Sequence, residues 1–435
     1  MSISEMLIAL FFIVLGVLGL VGHPSIQRVG VGAAITFVGV AMLIPFVSSP
    51  LARAIGSPLP LIQGVTGRLG RENSARNPRR TAATASALMI GIAVVAAIAT
   101  LASSALASFN DIFDRSFQAN YVVSANNQDF PAASAEAAIK VAPGVTAMSG
   151  FTMLAWHKKQ TAKMLDGIDP VEGPQVFRVD MVSGPVSALE EGKVLVDETT
   201  ATNDNVRIGD TITMTFATRG DKTFTVGGIY KDNQLLSEHY LVSNSIVAAN
   251  SNVVRDVVIL VKTTSTTQAQ QDALKAATAG FPNLKVRTGE QFKKDQQGSV
   301  KGFLNLVYGL LALSIIIALI GVVNTLALSV LERTREIGLL RSIGMFRRQV
   351  RGMIRGEAVV VSVLGAVLGL ALGIVLGAAL VSTVAGNGTG ITQVVIPVRT
   401  IVIVLVAASL FGLVAALFPA HRAAKLDVLK AISTV

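Results

Sequence analysis

The chain has 435 residues, 51% of them hydrophobic and only 15% charged, and its mean hydropathy is +0.60. Such values suit an integral membrane protein carrying a sizeable soluble part. The net charge of +10 comes from arginines clustered beside apolar runs, so it reads as membrane topology rather than a nucleic-acid-binding face, and the absence of cysteine excludes disulfides and cysteine-ligated metal.

Residues 1–56 hold a leading pair of transmembrane helices, with apolar runs at 6–22 and 31–50 and Pro45 near the inner end of the second. No Lys or Arg precedes the first run and no small-residue cleavage site is clear, which favours a retained helix over a secretory signal. The link from Gly22 to Gly30 contains Arg28, which leaves the orientation of this pair open. Residues 57–81 form a basic juxtamembrane segment with Arg68, Arg71, Arg76, Arg79 and Arg80, expected in the cytoplasm. Asn77-Pro78 then reads as a helix start, opening a third transmembrane helix at 82–109.

Between 110 and 298 the apolar runs shorten and polar residues appear throughout, so this stretch is expected to be an extracytoplasmic α+β domain. Alternation predicts strands at Lys193–Val196, Thr211–Phe216, Thr223–Tyr230, Asp256–Val261 and Leu284–Arg287, with a helix at Gln268–Ala279. Lys193 to Asp232 reads as a small, mostly β lobe, and the end of the stretch as an α+β lobe. Asp166, Asp169 and Glu172 share a loop with Gly and Pro, read as a solvated turn before a cation site. Trp156 with His157, Lys158 and Lys159 reads as a strand end before a ligand or lipid contact.

Residues 299–332 form the fourth transmembrane helix, longer than a bilayer core requires, with a stalk through Lys293–Lys301. Asn305, Tyr308, Asn324 and Thr325 lie within it, and polar side chains at that depth should face other helices. A fifth helix at 358–385 carries Gly365, Gly369, Gly373 and Gly377 at steps of four, one face on which another helix can approach closely, within the chain or across a dimer. An external loop at 386–397, a sixth helix at 398–420 ended by Pro419, and a cytoplasmic tail at 421–435 complete the chain. The fold class is therefore an α-helical membrane protein with about six transmembrane helices plus an α+β extracytoplasmic domain.

The densest charge lies between the fourth and fifth helices, at 333–357, where seven arginines from Arg333 to Arg355 mark a cytoplasmic loop. After Gly344, helical spacing puts Phe346, Val350, Met353 and Ile354 on one face and Arg347, Arg348, Arg351 and Arg355 on the other. Before it, Ile337, Leu340 and Ile343 form an apolar stripe. The pattern predicts a short amphipathic helix with a glycine elbow, and an ordinary positive-inside loop resting on headgroups is the plainer alternative.

Glu336-Ile337-Gly338, Leu340-Arg341, Ile343-Gly344 and Arg348-Gln349-Val350 resemble the cytoplasmic signature of the FtsX-like permeases, which include the MacB-type and LolC/LolE-type subunits of ABC transporters. Arg71-Glu72-Asn73 with Arg76-Asn77-Pro78-Arg79-Arg80, and Pro419-Ala420-x-Arg422-Ala423-Ala424 before Leu426-Asp427, resemble the family's opening and closing motifs. The resemblance covers residues from about 68 to 432 and implies a MacB-like periplasmic core domain, whose porter and sabre subdomains the two lobes resemble. It also implies that the 333–357 segment is a coupling helix docking on a separate ABC ATPase subunit, with Glu336, Ile337, Gly338, Leu340, Arg341, Gly344, Phe346 and Arg348 as the coupling residues. The chain resembles the second half of a double-length permease, so a second permease half or a homodimer is expected beside the ATPase. No GxxxxGK[ST] run is present, so ATP is expected to bind the partner subunit, with no cofactor here and no catalytic residue. His23, His157, His239 and His421 lack ligand spacing, so no metal site is expected. The implied function is export or extraction of a hydrophobic or amphipathic substrate. The alternative is an FtsX-type scaffold that passes ATPase motion to an external cell-wall hydrolase or a sensor kinase.

Overall fold

A computed structural model describes residues 3–426 apart from 21–25, 126–128, 159–160, 234, 237, 386–390 and 392. Gly22, His23, Lys159, half of the 386–397 loop, and the tail from Asp427 on lie outside the described residues. The chain divides into two compact units. One comprises Met1–Ser104, Gly302–Thr383 and Val394–Val435, and the other comprises Ala105–Lys301 and Val384–Gln393.

The first unit opens with α1 (Ile3–Leu20) and α2 (Ile26–Ile55), which pack closely because small residues face each other. A Cβ on Gly16 would lie 2.3 Å from Thr36 Oγ1, and one on Gly39 would lie 2.7 Å from the Ile13 nitrogen. The basic juxtamembrane segment folds as two short helices, α3 (Leu59–Gln63) and α4 (Val65–Arg76), hinged at Gly64 with φ +58°. Then comes α5 (Pro78–Ser116), with 39 residues, longer at both ends than the 82–109 expected from hydropathy. Its outer end stays helical because its polar residues satisfy one another locally, as in the Asp111–Arg115 pair at 2.5 Å one turn apart.

The second unit is built on one mixed sheet. Its strands are β1 (Tyr121–Ala125), β2 (Phe130–Pro131), β3 (Val145–Lys158), β4 (Thr161–Ile168), β5 (Met181–Ser183), β6 (Val194–Asp197), β7 (Thr211–Phe216), β8 (Gly220–Tyr230), β9 (Tyr240–Ser243), β10 (Arg255–Thr263) and β11 (Leu284–Thr288). The order is β11-β1-β10-β3-β4-β9-β6-β8-β5, with β2 on β10 and β7 bridging β3 and β8. The two lobes expected from alternation thus share a continuous sheet. Strands β1 and β9 are buried along their whole length, so they lack the period-two pattern and escape detection in the sequence. Helices α6 (Ala132–Lys140), α7 (Gly173–Val176), α8 (Glu198–Asn203), α9 (Asn244–Asn250) and α10 (Gln268–Ala277) connect these strands.

Trp156 near the end of β3 is fully buried, edge-on to Tyr240 at 5.1 Å, with its indole N–H donating to the Met164 carbonyl. Asp169 Oδ1 accepts the Val171 and Glu172 amides at 2.8 and 2.7 Å, and Glu172 accepts the Met148 amide, so these carboxylates shape a turn. Asp256 differs: it is fully buried and neither carboxylate oxygen has a hydrogen-bond partner. Burial, with Glu136 nearby, pushes its carboxyl up to about 8. Both acids crowd Gly150, where a Cβ would lie 2.2 Å from Glu136 Oε1 and 2.4 Å from Asp256 Oδ1.

The chain leaves this unit along α11 (Gly289–Glu332), which contains the stalk residues and runs unbroken for 44 residues. At about 1.5 Å per residue α5 and α11 are roughly 58 and 66 Å long, about twice the bilayer core. Next come α12 (Thr334–Ser342), α13 (Arg347–Ala385), α14 (Val398–Ala415) and α15 (Leu417–Ala424). Pro419 does not end the sixth span. It sits in the first turn of α15, where a missing amide hydrogen costs no helical bond.

Gly365, Gly369, Gly373 and Gly377 of α13 face α5 of the same chain. Cβ atoms there would lie 2.7, 2.8, 2.4 and 2.8 Å from the carbonyl oxygens of Ala85, Met89, Ala93 and Ala97. Both sets advance four residues at a time, so two backbones run in contact over three turns. Asn324, expected to pack between helices, instead lies on an exposed face of α11, while the neighbouring Thr325 hydroxyl donates back to the Gly321 carbonyl.

Candidate functional site

The arginine-rich segment is built around one glycine. Gly344 has φ +110°, its amide donates to the Arg341 carbonyl at 3.2 Å, and the Met345 amide reaches the Leu340 carbonyl at 3.0 Å. This paired closure is a Schellman motif, which ends α12 and turns the chain. On the far side Gln349 Oε1 accepts the Phe346 amide at 2.8 Å, capping the first turn of α13. The elbow predicted at Gly344 is therefore present, but no separate short helix succeeds it. Residues 347–357 are the first turns of the 39-residue α13, because their helical spacing passes without interruption into the apolar run.

The expected apolar face also divides. Ile337, Val350, Met353 and Ile354 are buried together with Ala420 and Ala423 of α15, so they hold the segment to its own chain. Gly338 is buried and Leu340 half-buried. Phe346 turns away from that group and is 73% exposed, beside Ile343 at 77% and Leu339 at 54%. Arg347 and Arg348 are exposed too. The Arg341 guanidinium donates to the Leu426 carbonyl, joining the elbow to the closing motif. Glu336 lies 4.0 Å from Arg76 with both side chains largely in solvent, a pair worth at most about 1 kcal/mol.

Beneath the elbow lies an ionic cluster whose arginines, in the sequence, speak only of topology. Arg80 at the start of α5 pairs with Glu332 at 2.9 Å and with Glu357 at 3.9 Å, and Arg333 reaches Glu357 at 3.8 Å. Glu357 of α13 is 7% exposed. The cluster thus joins the basic ends of three long helices. Its only mark in the sequence is a lone glutamate between an arginine run and an apolar span. Helix α4 lies against the same turns: a Cβ on Gly70 would be 2.8 Å from the Met353 carbonyl, and the Thr81 hydroxyl donates to the Ser74 carbonyl at 2.7 Å.

The elbow presents a mixed apolar and basic surface to solvent. It offers three exposed apolar side chains and two arginines on a turn clamped to several long helices.

A model for the FtsX-like permease C-terminal region matches residues 308–428, and one for the MacB-like periplasmic core domain matches 81–277. The macrolide export ATP-binding/permease protein MacB of Psychrobacter cryohalolentis is 27% identical over 160 residues, covering 37% of this chain and 24% of that protein. An uncharacterized ABC transporter permease of Methanocaldococcus jannaschii is 27% identical over 236 residues, covering 52% of this chain and 58% of that one. The chain therefore spans about a quarter of the MacB relative's length. The extracellular domain of the transporter YknZ is 16% identical with a TM-score of 0.29, and the match covers 39% of this chain and all of that domain.

Proposed function

The chain belongs to the FtsX-like, MacB-type family of ABC transporter permeases, and from that premise we propose that it transmits ATP-driven motion from a separate ATPase subunit to its extracytoplasmic domain, exporting or extracting a hydrophobic or amphipathic substrate. It is a multi-pass membrane protein with a large extracytoplasmic domain, and six helices among the described residues are long and apolar enough to cross a bilayer. The observation that carries the proposal is the exposed elbow: Leu339, Ile343 and Phe346 project beside Arg347 and Arg348 from a turn whose other side is buried. These apolar groups fill a groove of the ATPase and the arginines pair with its rim. Ile337 and Arg341, which the family resemblance implies as ATPase contacts, serve this surface from within by fixing the turn.

Coupling requires the ATPase to hold the elbow differently in its two nucleotide states. Motion then passes through the ionic cluster into α5 and α11, whose length beyond the bilayer supplies the reach. The outward face of α11, with Asn324 among exposed apolar residues, receives a second permease half or a second copy of this chain.

The test is Ile343→Asp combined with Phe346→Asp, both at exposed positions. Capture of the ATPase subunit that accompanies the wild-type chain is expected to fall at least tenfold, and substrate-stimulated hydrolysis to fall to the basal rate. Wild-type values in both assays sink the assignment. If hydrolysis is coupled but vesicles show no transport, the regulatory scaffold is the correct member of the pair.

A further inference from the structure

The extracytoplasmic unit contains a cavity of about 810 Å³, a size that suits a drug-sized molecule. Phenylalanines dominate its wall. Phe109 and Phe113 lie one turn apart near the end of α5, Phe117 follows just past it, Phe292 faces them from α11, and Phe151 and Phe177 close the sheet side. Phe113 stacks on Phe117 at 4.4 Å and on Phe292 at 6.4 Å, while Phe151 meets Phe177 edge-on at 5.4 Å.

The polar groups of this wall narrow the choice of ligand. Arg287 pairs with Asp295 at 2.8 Å, and Asp129 with Arg255 at 3.3 Å. With these formal charges already paired, an entering ion finds no free opposite charge on them. Arg287 also donates to Ser124 Oγ at 2.5 Å and lies over the Phe292 ring at 5.5 Å. Its Nε–H is buried and has no acceptor among the described residues.

We propose that this phenylalanine-lined cavity binds an uncharged, largely apolar molecule. The proposal names the cargo class within the permease reading and rests on it for biological meaning, but its test needs no ATPase. Failure of ATPase capture and failure of ligand binding are therefore separate results.

The chain has no cysteine, so an introduced thiol is the only one present. Ser299→Cys and Val257→Cys place reporters on two walls of the cavity, and Thr213→Cys places a control on the exposed strand β7. The full chain in lipid vesicles is labelled with a maleimide in the presence of 2-acetylnaphthalene, its hydrocarbon analogue 2-ethylnaphthalene, or the anion 2-naphthoate. The ketone and the hydrocarbon are each expected to slow labelling at positions 299 and 257 at least fivefold and to leave position 213 unchanged, while the anion protects neither wall. Unchanged labelling at both walls, or equal protection at position 213, overturns the site. Failure of the hydrocarbon to protect, or protection by the anion, overturns the assigned chemistry.

Discussion

Two buried carboxylates in this chain are handled in opposite ways. Glu357 has two guanidinium partners, Arg80 and Arg333, in a site that is 7% exposed. Removing one member of such a cluster leaves the others uncompensated, which typically costs about 3–5 kcal/mol. Glu357→Ala is expected to destabilise the protein by that amount in denaturant unfolding, while Arg76→Ala, at an exposed pair, should cost less than about 1 kcal/mol. Asp256 has no partner, and burial raises its carboxyl to about 8 from an ordinary 3.8. The folded state then holds a proton that the unfolded state releases, so stability declines as pH rises from about 4 to 8. Asp256→Asn should flatten that slope in the extracytoplasmic unit and be stabilising at pH 8 by about 1–3 kcal/mol, as read by urea unfolding across pH. An unchanged slope would mean the carboxyl ionises freely.

At the scale of elements, the glycine stripe was legible from spacing alone, because four glycines at steps of four have one geometric meaning in an apolar helix. Its partner was not legible, since a backbone surface of Ala85, Met89, Ala93 and Ala97 carries no mark that distinguishes it from other alanine-rich stretches. Gly373→Leu places a side chain where even a Cβ comes within 2.4 Å of the Ala93 carbonyl. Overpacking of this kind costs about 1–3 kcal/mol, and thermal unfolding in detergent should show the loss. Leucine at Gly309, which has open space around it, should leave the transition unmoved.

For the whole molecule, hydropathy and charge were enough to place six spans and a polar insertion, because a bilayer imposes both strongly. They could not show where a span stops being membrane and becomes lever. The helices α5 and α11 keep their hydrogen bonds whatever surrounds them, so composition changes while structure does not. The arginine segment shows the same limit. Its elbow followed from Gly344, but periodicity put Phe346 on one face with Val350, whereas it precedes the first residue of α13 and is exposed.

The seam between α5 and α13 looks the same from one turn to the next. A displacement by one turn, about 5.4 Å, returns each glycine to a carbonyl of the same kind. Such a surface opposes separation far more than it opposes axial travel. The cluster at Arg80, Glu332, Arg333 and Glu357 holds one register at the inner end of that seam, as a pawl does on a rack.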